Sequence, residues 1–150
     1  MTATNHALTG AVIALVIKQP ALAVPLAFLS HFVIDIVPHF DAGPDSPKLA
    51  KSVIFIDSII AGTLTILIPI FLPTDTSPWL IFAGMFAAMS PDLVWGWRYY
   101  KLRDLQRVTS QPMSLFSNYH QKIQWSETRK GIFVEFFWLL LMSWSIIWLV

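Results

Sequence analysis

Apolar residues fill this chain in five long stretches, each closed by a polar or proline-containing break. The first covers about Ala3 to Ile17 and stops at Lys18-Gln19-Pro20. The second runs from Pro20 to about Val37 and stops at Pro38. Ser46-Pro47 opens the third with a capping serine and a proline at the first helical position, where a missing N–H costs nothing. That stretch ends near Leu72-Pro73. Ser77-Pro78 opens the fourth in the same way, and it reaches Tyr100 or beyond. The fifth runs from about Gly131 to Val150. The pattern predicts an all-α fold of about five helices in one domain, residues 1–150, with no internal repeat.

Composition turns these helices into membrane spans. The chain is 55% hydrophobic and 13% charged, against about 25% charged in soluble domains. A span needs roughly 20 residues, so the first two segments are short. They tilt less than usual, or the bilayer thins beside them. The start, MTATNHALTGAV, lacks the basic region of a cleavable signal, so the first segment is read as part of the mature fold. There is no cysteine, which excludes thiolate metal sites and disulfides. A net charge of +1 argues against nucleic acid as a partner.

The basic residues orient the array. Arg98, Lys101, Arg103, Arg107, Lys122, Arg129 and Lys130 lie between the fourth and fifth helices, and Lys48 and Lys51 follow the second. The third-to-fourth loop has none, and the first turn has only Lys18. By the positive-inside rule the two basic regions face the cytoplasm. The expected location is the cytoplasmic (inner) membrane, with the N-terminus inside and the C-terminus outside.

On this topology the metal-capable side chains fall at one end. His6 begins the first helix, and His31, Asp35, His39 and Asp41 end the second. Asp57 lies about three turns into the third, Asp92 is near the cytoplasmic end of the fourth, and His120 is in the basic loop. Glu135 opens the fifth, where it either pairs with a basic residue or joins the site. Charged groups in a membrane are costly and usually functional. Three of them end stripes of small residues at helical spacing: His6 with Gly10 and Ala14, Asp92 with Ala88 and Gly84, and Asp57 with Ala50, Ala61 and Thr65. Small residues let membrane helices approach closely, so these faces are expected to point inward.

The stretch LSHFVIDIVPHFD concentrates this chemistry. His31 and Asp35 share a helix face. Pro38 clashes with the Ile34 carbonyl and ends or bends the helix, which lets His39 and Asp41 fold back over the site. Imidazole and carboxylate without thiolate suit zinc, manganese or iron. The set exceeds what one tetrahedral ion needs, so two or three ions are expected. Asp57 or Asp92 would bridge them or orient a ligand histidine.

NHALTG (residues 5–10), SHFVIDIVPHFD (30–41) and SPDLVWG (90–96) resemble the small membrane-bound metal-dependent hydrolases of bacteria and archaea. The His-x3-Asp-x2-Pro-His spacing is also similar to part of the zinc-dependent phospholipase C signature. That signature has one more residue before the proline and another before its next histidine. The resemblance implies metal-site roles for His6, His31, Asp35, His39, Asp41 and Asp92, and a phosphoester-type hydrolase activity.

Residues 98–125 mix basic and aromatic side chains, as in an amphipathic segment lying on anionic headgroups. Arg98 and His120 are the expected substrate contacts there, and Asp57 the bridging acid or general base. The leading reading is a hydrolase of amphiphilic phosphoesters in contact with membrane lipid. Its rivals are a metal or proton transporter, a haem protein using His6 and His31 as axial ligands, and a structural subunit, which would leave the acids unexplained.

Overall fold

The computed structural model describes residues 1–40, 47–102, 115–123 and 125–150. Among them every regular element is a helix, apart from one isolated bridge between Phe40 and Thr128. Helix α1 spans Ala3–Ile17, α2 Pro20–Asp35, α3 Pro47–Phe71, α4 Pro78–Leu102, α5 Leu115–Ile123 and α6 Ile132–Leu149. A 3-10 turn, Arg129–Gly131, leads into α6.

The breaks seen in the sequence end these helices for local reasons. Lys18 takes a left-handed conformation, φ 54°, and its N–H bonds Ala14 O at 3.1 Å to close α1. The Gln19 side chain then accepts from Leu22 N at 2.8 Å and caps α2, with Pro20 at its first position. The second helix ends at Asp35, two residues short of Val37. Val37 precedes a proline and is biased away from the helical region. Its own N–H takes the Ile34 carbonyl at 3.1 Å, which Pro38 has no N–H to reach.

Helix α1 is the centre, packed against α2, α3, α4 and α6. Its small-residue face does point inward, as the spacing predicts: Ala7, Ala11 and Ala14 are fully buried. It crosses α4 so closely that a Cβ on Gly10 would lie 2.2 Å from Gly84 O and 2.9 Å from Ala88 Cβ. Ala61 and Thr65 of α3 are buried as well. The outer surface is the reverse. Phe55, Ile70 and Phe71 of α3 and Phe133, Trp144 and Trp148 of α6 are exposed.

Two segments, Lys51–Phe71 and Arg129–Leu149, are long and apolar enough to cross a membrane. Ala3–Ile17, Pro20–Asp35 and Pro78–Val94 are apolar but shorter. The 15 residues of α1 reach about 22 Å.

The two ends of the bundle differ. Where the α1–α2 turn meets the α3–α4 loop, Lys18 Nζ bonds Asp75 Oδ1 at 2.7 Å, both exposed. That ammonium holds the Asp75 carboxyl below its usual range. The opposite end gathers the histidines and the remaining described acids of the helices.

Candidate metal centre

Four helices bring five side chains together. His6 comes from the second turn of α1, and His31 and Asp35 from the last turns of α2. Asp92 follows the buried Pro91 of α4, and His120 comes from α5. His6, His31, Asp35 and His120 are all 0% exposed, whereas the Asp92 side chain is 30% exposed.

Asp35 is the hub. Its Oδ1 lies 3.0 Å from His6 Nε2, and its Oδ2 lies 3.2 Å from His31 Nε2 and 3.0 Å from His120 Nε2. His31 Nε2 and His120 Nε2 are 2.9 Å apart. Asp92 closes the far side at 3.6 Å from His31 and 3.9 Å from both His6 and His120. Two triads, His6–His31–Asp35 and His31–Asp92–His120, each place three ligand-type atoms within 4.8 Å of one another. Ligands bonded at roughly 2.0–2.2 Å to one zinc lie about 3.0–3.5 Å apart, so this spacing fits an ion.

Hydrogen bonds have similar lengths, so two further observations carry the argument for a metal. His31 Nδ1 lies 2.8 Å from Ala88 O. A carbonyl only accepts, so Nδ1 carries the hydrogen in the neutral ring. The lone pair on Nε2 then faces the cluster, the outer-shell arrangement typical of a metal-bound histidine. His6 is fully buried, yet neither ring nitrogen makes a hydrogen bond among the described residues. The 3.0 Å approach to Asp35 is off the ring's donor direction. An unsatisfied buried polar group costs about 1–3 kcal/mol, and coordination would remove that cost. The Met1 amino group also sits 2.6 Å from Asp35 Oδ1, so one positive charge already rests on this carboxylate.

Helix α4 is shaped for this. Pro91 has no N–H for the Ala87 carbonyl, and Ser90 Oγ donates to it instead at 2.9 Å. The next carbonyl, Ala88 O, receives His31. Phe32 sets its ring edge-on to both His31 and His120, an apolar cover on one side.

Other expected site residues lie elsewhere. His39 is buried, but its Nδ1 bonds Val37 O at 2.8 Å and its Nε2 faces Glu127 at 3.4 Å. It joins neither triad. Burial pushes the His39 imidazole down, but Glu127 outweighs it and holds it above its ordinary range. Asp57 accepts from Ala3 N at 2.7 Å and Thr4 N at 3.1 Å, so it caps α1 and joins neither triad. Asp41 lies outside the described residues, as does the Arg98 side chain, although Arg98 itself is in α4. His120, expected as a substrate contact, is buried beside Asp35 and His31. Among the described residues Glu135 pairs with no basic side chain; it accepts from Thr2, Asn5 and Phe40.

The haem alternative does not suit this geometry. The His6 and His31 rings stack at 3.9 Å between centroids, 19° from parallel, leaving no room for a porphyrin between them.

Comparison of the chain with family models, with curated proteins and with solved structures finds no match. The site itself is therefore the ground for any function.

Proposed function

We propose that this chain is a membrane-embedded metal-dependent hydrolase of amphiphilic phosphoesters. The observation that carries the reading is the buried convergence of three imidazole Nε2 atoms on Asp35, with Asp92 at the open edge. His6, His31, Asp35, His120 and Asp92 would hold the ion, zinc first, with manganese or iron as alternatives. A second or third ion would draw on His39 and Asp41. A bound divalent ion supplies a water of lowered pKa and polarises a phosphoryl oxygen.

The protein's own contribution is orientation and exclusion. Ala88 O fixes the His31 ring. Phe32 and the packed helices keep bulk water from the imidazoles. Asp92, the partly exposed member, is where solvent and substrate enter. Arg98, six residues further along α4, is the proposed phosphate contact.

A bilayer supports this reading because the exposed aromatic and aliphatic faces of α3 and α6 are too apolar for water. All five long helices would then be embedded, with the exposed Leu29 and Val33 of α2 and Trp79 and Phe86 of α4 also facing lipid. The Lys and Arg distribution favours a cytoplasmic site. Against the transporter reading, the opposite end has only the exposed Lys18–Asp75 pair and no second set of ligands among the described residues.

Two measurements test these points. Detergent-purified protein is expected to carry at least one zinc, manganese or iron per chain by elemental analysis. A metal-free preparation that also fails to take up zinc or manganese rules the centre out. The chain has no cysteine, so single cysteines report topology cleanly. An impermeant maleimide on intact cells should label position 75 and spare position 122. The reverse pattern overturns the orientation.

A further inference from the structure

Helix α1 carries His6 but does not cap itself. Thr2 stands at its N-cap and makes no side-chain cap bond. The first amides of a helix have no partner within it. Here carboxylates from two other helices supply them. Asp57 of α3 takes Ala3 N and Thr4 N. Glu135 of α6 takes Thr2 N at 3.1 and 3.2 Å and Thr2 Oγ1 at 2.8 Å. Negative charge at this end also suits the helix dipole.

Glu135 does more than cap. Its Oε2 accepts from Asn5 Nδ2 at 2.6 Å, and its backbone carbonyl accepts from the same nitrogen at 3.0 Å. Asn5 is the residue beside His6. Glu135 Oε1 accepts from Phe40 N at 3.4 Å, beside His39. The segment at His39 is held from the same side: Thr128 N bonds His39 O at 3.0 Å, and a Cβ on Gly131 would lie 2.0 Å from that carbonyl. One buried carboxylate thus joins the start of α1 to the segment that leaves α2.

We propose that Glu135 is a positioning residue for the metal centre, setting His6 through Thr2 and Asn5. The inference rests on the metal-centre reading above. Every group that Glu135's carboxylate meets is a donor. A carboxylate offers about four acceptor sites, and a glutamine offers two, with an NH2 in place of the other oxygen. Glu135→Gln keeps the size but turns a donor toward either Asn5 Nδ2 or Phe40 N. His6 should then shift while the helices stay packed.

The test uses full-length purified protein loaded with Co2+, whose visible spectrum reports the number and geometry of its ligands. Glu135→Gln is expected to weaken Co2+ binding by about 10–100-fold, as for lost outer-shell support, and to change the spectrum of what still binds. Unchanged affinity and spectrum overturn the proposal. A lower melting temperature with an unchanged spectrum also overturns it, since that is a stability role alone. If the variant fails to fold, Asn5→Ala removes the link to His6 and is read in the same way. Wild-type protein that takes up no Co2+ refutes the metal centre itself, a different outcome from a bound ion indifferent to Glu135.

Discussion

Asp35→Asn should empty the centre and lower the melting temperature by roughly 5–10 °C. Asp35 touches three imidazoles and lies at the heart of the cluster, and a neutral amide of the same size is a poor ligand. An ion present at about 100 times its dissociation constant stabilises the fold by about 2.7 kcal/mol. For a chain of this length each kcal/mol moves the midpoint by about 2–4 °C. His31→Ala should behave alike, because its Nε2 belongs to both triads. Asp75→Ala, at the far end and exposed, should keep full metal content. The decisive comparison is in chelator. If the centre is real, wild type falls toward the variant there. A gap that persists undiminished in chelator would make Asp35 a hydrogen-bonding residue only.

Gly10→Ala should strongly destabilise the α1–α4 crossing. Its Cβ would lie 2.2 Å from Gly84 O and 2.6 Å from Gly84 C. Those are backbone atoms, so a helix must move. Overpacking costs about 1–3 kcal/mol and sometimes more. The displacement also reaches the site, since α4 carries both Ala88 O, which anchors His31, and Asp92. Loss of metal should therefore accompany loss of stability in one titration. Gly62→Ala is the matched control. Nothing lies within 4 Å of its Cβ position, and removing a helical glycine gains about 1 kcal/mol. Equal melting temperatures for the two variants would show that the α1–α4 contact is looser than described.

Much of this arrangement is legible in the sequence because helical spacing is a local property. The Gly10 and Gly84 stripes, each ending at a metal-capable residue, mark the close crossing of α1 and α4. Pro47 and Pro78 begin α3 and α4 as expected. Proline also explains the early end of α2, though spacing alone overshoots it by two residues. The partners of His120 are not legible. It sits on a nine-residue helix whose spacing says nothing about α2, and only its buried place against Asp35 shows its company. The hydrogen-bond partners of Asp57 and Glu135 are not legible for another reason. Their partners are mainly backbone amides and the polar groups of α1, and side-chain periodicity carries no trace of a backbone donor. The inward-facing stripe on α3 correctly aims Asp57 at the bundle; it cannot tell a capping acid from a bridging one.

The dependence of α1 on Glu135 has a consequence for biosynthesis. Chains emerge from the ribosome N-terminal end first, so the first helix is made well before the last. Until α6 arrives, the amide of Thr2 and the side chain of Asn5 lack the acceptor they have in the finished fold. Water must serve them meanwhile, which keeps the start of α1 solvated. His6 therefore reaches its final register late, after His31, Asp35 and His120 have been translated. On the proposed metal centre, loading of an ion would be a closing event of maturation, reserved for chains whose last helix has already docked.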